Sequence, residues 1–153
     1  MLKGIDHRLN AEVLGALRVM GHGDYIVVVD TNFPAASIAA VTVLGRLLRM
    51  ENLTSAEAVG AILSVYPLDT FVPDFAGRMQ VVGDPAAIVP AQAEVQAEVD
   101  RAEGRPRPIP GVERFAFYDL ARGAYAVVQT GERRPYGCFM LRKGIIGPDG
   151  AAA

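Results

Sequence analysis

The sequence predicts a three-layer α/β/α domain built on a mixed, mostly parallel sheet of about six strands. Three observations carry this reading. Short β-branched apolar runs alternate with helix-spaced segments, the pattern of strands joined by crossover helices. The run Tyr25-Ile26-Val27-Val28-Val29 is apolar throughout, as a central strand covered on both faces must be. The last two strands are joined by about eight residues, too few for a helical crossover, so they run antiparallel and the sheet is mixed.

Residues 11–20 read as a first helix. Asn10 can cap it, and Val13, Leu14, Leu17 and Met20 fall on one face. Gly21 is expected to supply a left-handed stop before the strand at 25–29. Leu47 to Glu51 is a second strand. Thr54-Ser55-Ala56-Glu57 is a capping box, and the helix it opens carries Val59, Ile62, Leu63 and Tyr66 until Pro67 ends it. Gln80-Val81-Val82 reads as a third strand, stopped by Gly83-Asp84. Pro85 or Pro90 begins a helix that runs to about Glu103 with acidic residues outward. Residues 104–110 hold three prolines and form a stiff connector. A brief strand near Val112 precedes a helix over 115–122, and strands follow at 125–130 and 139–141. There is no internal repeat. One domain is expected over 1–146, with 147–153 a frayed, flexible tail.

The bulk numbers bound the function. A chain of 153 residues, 51% hydrophobic, is one ordinary domain able to bury a core. A net charge of −2 gives no electrostatic reason to expect nucleic acid. The basic cluster Arg101, Arg105 and Arg107 is broken by prolines and reads as a solvated linker. No apolar run is long enough to span a bilayer, and residues 1–7 lack an apolar signal core. The single Cys138 excludes an internal disulfide and suits a reducing cytoplasm. No Cys-x-x-Cys pair offers a structural zinc or iron–sulfur site.

Ligands of open α/β sheets bind outside the carboxyl ends of the strands. Asp30 directly follows the strand at 25–29 and points to that crevice. His22 lies in the loop that enters the same strand. Histidine can give or take a proton near neutrality, and a carboxylate can orient it or hold a hydroxyl. Five residues of strand span about 17 Å, so the two meet only if the 21–24 loop folds back or a neighbouring subunit supplies one. Spacing alone favours a plainer reading, with His22 in a turn and Asp30 as a cap. His7, near the N-terminus, reads as a surface or structural residue. His22, Asp24 and Asp30 form a weak metal-site pattern. Tyr136, in the loop 131–137, is placed to hydrogen-bond a ligand or to pack. No phosphate-cradling glycine loop or Gly-x-Ser-x-Gly elbow is present.

The ordered set Met20-Gly21-His22-Gly23-Asp24, Asp30, Phe33-Pro34-Ala35, Arg114-Phe115-Ala116-Phe117-Tyr118, Thr130-Gly131-Glu132-Arg133 and Tyr136-Gly137 resembles the ribose pyranase / fucose mutarotase (RbsD/FucU) family. It runs from Met1 to about Ile145, and Phe-Pro-Ala and Arg-Phe-Ala-Phe-Tyr are closer to the fucose branch. The resemblance implies interconversion of sugar ring forms without cofactor or metal. It makes His22 the proton donor and Asp30 and Arg114 sugar-binding residues. It also implies that the loop Tyr136, Gly137 and Cys138 closes the site, and that ring-shaped oligomers, often decamers, form with sites near subunit contacts. Two departures stand out. Cys138 replaces the family's usual asparagine, exchanging a strong donor and acceptor for weak ones, and residues 38–49 are a few longer than in the fucose branch. The expected activity is therefore that of a mutarotase for L-fucose or a similar sugar. The alternatives are a pyranase acting on ribose-like sugars and a non-catalytic sugar-binding accessory protein.

Overall fold

Side-chain alternation along the first strand sets the architecture. Ile26 and Val28 face one side and Val27 and Val29 the other, and all four are fully buried. A strand with no wet face needs helices on both sides. The computed structural model describes residues 1–153 and shows both layers. In order the elements are α1 (Ala11–Val19), β1 (Tyr25–Val29), α2 (Ala35–Ala39), β2 (Leu47–Met50), α3 (Ser55–Leu63) and β3 (Ala76–Met79). They continue with α4 (Pro90–Glu103), β4 (Gly111–Val112), α5 (Arg114–Arg122), β5 (Ala126–Thr130) and β6 (Phe139–Arg142).

The six strands form one sheet in the order β2-β5-β1-β6-β3-β4. Only β6 is reversed: it pairs antiparallel with β1 and β3, and the other pairs are parallel. The last two strands are opposed in direction as expected, yet β1 lies between them, so the loop 131–138 crosses over the end of β1. Helices α1, α3 and α4 cover one face, burying Val13, Leu17, Val59, Ile62, Val95 and Val99 against Ile26 and Val28. Helices α2 and α5 cover the other, with Ile38, Phe117 and Ala121 against Val27 and Val29.

The caps explain where the helices begin. The Asn10 side chain accepts from Val13 N–H at 3.0 Å. Thr54 and Glu57 form the expected capping box. Pro90, not Pro85, opens α4. Four expectations are corrected. α1 stops at Val19 with extended Met20 as its cap, and the left-handed residue is Gly23 (φ 85°), not Gly21. The third strand is Ala76–Met79, not 80–82. Val81 and Val82 instead enter a turn about Gly83 (φ 82°), where Val81 bridges Asp84. Small residues in β3 hid it from a β-propensity reading, yet they are needed there: a Cβ on Gly77 would stand 2.9 Å from Val112 Cγ2. The short helix α2 follows Pro34, unforeseen. Finally, Arg107 is packed rather than solvated, bonded to Glu103 and Asp69 O (2.7 Å each) and 3.6 Å above the Phe75 ring. Residues 147–153 turn back on themselves, with Gly147 N–H donating to Ala151 O at 2.7 Å and Thr70 Oγ1 donating to Ala153 O.

Candidate functional site

The strand directions sort the candidate residues into two groups at opposite edges of the sheet. Asp30 leaves the carboxyl end of β1. Tyr136, Gly137 and Cys138 enter β6, which is reversed, and Arg114 follows β4. These five therefore gather at one edge. His22 precedes β1 beside the far end of β6, where Gly23 N–H donates to Lys143 O at 2.9 Å. The 21–24 loop does not fold back, so His22 and Asp30 do not meet within the chain.

At the first edge lies a cleft of about 220 Å³ lined by Asp30, Asn32, Arg114, Tyr118, Tyr136 and Cys138 among others. That is below the roughly 300–1,000 Å³ of pockets that take drug-sized ligands and suits a small one. Asp30 is buried. Its Oδ1 accepts from Asn32 and Phe33 N–H, both 3.0 Å, and its Oδ2 from Gly137 N–H at 3.1 Å. A carboxylate offers about four acceptor positions, so three are spent on the protein and one remains. Asp30 is thus both the cap foreseen on spacing alone and a cleft-lining carboxylate.

Arg114 is exposed on the first turn of α5, its Nε donating to Tyr118 Oη at 3.3 Å. Glu113 caps that helix, accepting from Phe115 and Ala116 N–H. The Tyr136 hydroxyl accepts from Val82 N–H at 3.3 Å, which leaves its own proton free to donate. Gly137 does not line the cleft: its N–H is committed to Asp30 and its C=O accepts from Ser55 Oγ at 2.8 Å. A Cβ there would stand 2.7 Å from Glu132 Cγ, so only glycine lets the loop close this tightly. Cys138 is buried in the α2–α5 core, and burial, with Asp30 beside it, pushes its thiol well above the usual range. It presents a neutral sulfur where an amide would present two strong groups.

The other edge holds a pairing the sequence did not reveal. His22 Nε2 is hydrogen-bonded to Asp69 Oδ2 at 3.1 Å, and the His22 side chain is 49% exposed while that of Asp69 is 3%. Asp69 Oδ1 accepts from Phe71 N–H at 3.0 Å, which fixes the carboxylate, and Phe71 stands edge-on to the imidazole at 5.8 Å. A buried carboxylate bonded to one nitrogen of an exposed imidazole orients the ring and leaves its other nitrogen open to a ligand. The only local signal was an aspartate two residues before Phe71 in an Asx-turn arrangement. Asp24 accepts from Gly21 N–H at 2.8 Å and does not join His22 or Asp30. Nowhere do three His, Cys, Asp or Glu side chains gather as a metal would need.

In the sequence Glu132 stands out only as part of the Thr130-Gly131-Glu132-Arg133 motif. The structure buries it as the anchor of the 131–138 loop: it accepts from Arg134 Nε and Nη2 (both 2.8 Å) and from Arg134 N–H, while Arg134 also grips Glu94. Arg134 holds the Glu132 carboxyl down at about 2, from an ordinary 4.5. A depressed folded-state value means stability that is complete above 4.5 and is lost as pH falls toward about 2. Acid unfolding should therefore steepen in that window, and Glu132→Gln should flatten the slope there in denaturant titrations at stepped pH.

The fold and its two edges define a class: a three-layer α/β/α protein with a small polar cleft at the carboxyl end of β1 and a carboxylate-oriented histidine at the other end. The chain belongs to the RbsD / FucU transport protein family, whose model matches residues 3–146. It is 40% identical over 148 residues to the fucose mutarotase of Homo sapiens, covering 95% of this chain and 94% of that one. It is 37% identical over 145 residues to the L-fucose mutarotase of Glaesserella parasuis, covering 95% and 96%. The crystal structure of the fucose mutarotase from Streptococcus pneumoniae in complex with L-fucose superposes with a TM-score of 0.84 at 31% identity, over 95% of this chain and all of that one.

Proposed function

We propose that this chain is a monosaccharide mutarotase acting on L-fucose or a close relative by acid–base ring opening and reclosure, without metal or cofactor. The observation that carries this is the likeness, along nearly the whole chain, to a fucose mutarotase solved with its sugar. The reaction fits the side chains. The anomeric hydroxyl proton passes to water as its oxygen forms the aldehyde, and the C1–O5 electron pair moves to the ring oxygen. That oxygen takes a proton from His22, which Asp69 orients. Rotation about C1–C2 and reclosure return the proton and give the other anomer. Asp30, through its one free acceptor position, Arg114 and Tyr136 hold hydroxyls; Cys138 leaves one neighbouring position without a strong partner. A pyranase would run through the same open chain.

The site is complete only if His22 comes from a neighbouring subunit. The two edges are unlike surfaces, so the contact that joins them is head-to-tail, and such contacts form rings where the rotation closes. Both edges carry the exposed apolar groups that such a contact would cover: Phe115 (70%) and Val82 (60%) by the cleft, Phe71 (63%) and Val19 (73%) by His22. A groove of about 620 Å³ lined by Leu14, Leu17, Met20 and Val65 adjoins the His22 edge. The family resemblance gives such a ring ten copies. No helix is long and apolar enough to cross a membrane. With its buried free cysteine, the protein suits a reducing cytoplasm. Saturation-transfer NMR across a panel of monosaccharides tests the activity. Faster anomer exchange for fucose than for ribose supports it; unchanged exchange for every sugar refutes it.

A further inference from the structure

Tyr136 is the one residue other than glycine with a positive φ, 63°. A bulky side chain is disfavoured there and persists only where its surroundings over-determine it. The surroundings are visible on the peptide that joins Tyr136 to Gly137. Its N–H donates to Asp30, already placed in the cleft. Its C=O accepts from Gln92 Nε2 at 3.2 Å. Gln92 sits in the first turn of α4, 1% exposed and outside the cleft. Its second amide hydrogen goes to Met79 O at 2.7 Å, and its Oε1 accepts from Arg78 Nη1 at 3.4 Å. Both donors and the acceptor are therefore used, which leaves the side chain a single orientation.

We infer that Gln92 is a positioning residue for the sugar reaction: it clamps the Tyr136–Gly137 peptide from the side opposite Asp30 and so sets the Tyr136 hydroxyl in the cleft. This rests on the mutarotase reading of the site. Gln92→Met keeps the length and removes both donors. With L-fucose at saturation, its exchange rate should fall by up to about 10²-fold, the scale that a small misplacement of a positioning group costs, with KM nearly unchanged. In a Tyr136→Phe background, where no hydroxyl remains to be placed, the same substitution should cost less than about twofold. Gln92→Leu repeats the comparison should Gln92→Met not fold. A rate equal to wild type, or equal falls in both backgrounds, overturns the proposal. If the wild-type chain accelerates no sugar, the mutarotase reading fails instead, and the Gly137 amide decides the clamp. Its hydrogen exchange should speed by at least about tenfold in Gln92→Met if Gln92 holds that peptide; an unchanged rate would refute it.

Discussion

His22→Ala should lose on the order of 10²–10⁴-fold in sugar exchange rate, the usual contribution of a positioned general acid, while folding as the wild type does. The expectation follows from where the histidine sits. Half exposed, on a loop between α1 and β1, it supports no core cluster, and its only hydrogen-bonded side chain is Asp69. Removing the imidazole leaves Asp69 Oδ2 short of one partner, a cost of about 1–3 kcal/mol, which a domain of ordinary stability tolerates. Thermal melting separates the two effects. A variant that stays folded at the assay temperature and has lost its rate confirms the acid role. A variant that keeps its rate removes His22 from the mechanism.

The second large effect is a restoration. If each site takes His22 from one subunit and Arg114 from the next, His22→Ala and Arg114→Ala should each be inactive alone. Co-assembled in equal amounts, they should regain about a quarter of wild-type activity, since one in four head-to-tail contacts pairs two intact halves. Arg114 is an exposed N-terminal-turn residue whose loss leaves the α5 cap on Glu113 intact, so the variant should assemble. Native mass measurement verifies that mixed oligomers formed. Mixed oligomers without recovered activity would refute a shared site.

Much of the fold was legible because strong local signals agreed with the tertiary outcome. The apolar β1 run, the Asn10 and Thr54 caps and the prolines each act through neighbours a few residues away. β3 was missed because its Gly77 is set by close approach to Val112 and Met140, which lie far along the chain. The site was half legible. Asp30, Arg114, Tyr136 and Cys138 were named, and the structure brings them to one cleft. The distance objection to His22 and Asp30 also stood, because strand length alone imposes it. Asp69, Glu132 and Gln92 were not legible as partners. Each acts on a residue between 2 and 47 positions away, and no spacing rule connects buried polar groups whose partners are set by the crossing of loops. The inward turn of the Gly137 polar atoms, to Asp30 and Ser55, was not legible for the same reason.

The most direct test is saturation-transfer NMR on L-fucose with catalytic amounts of the wild-type protein. Irradiating one anomer should transfer saturation to the other far faster than in buffer, with no added metal or cofactor and undiminished by a chelator. Exchange no faster than in buffer, or exchange that collapses on chelation, would contradict a cofactor-independent mutarotase.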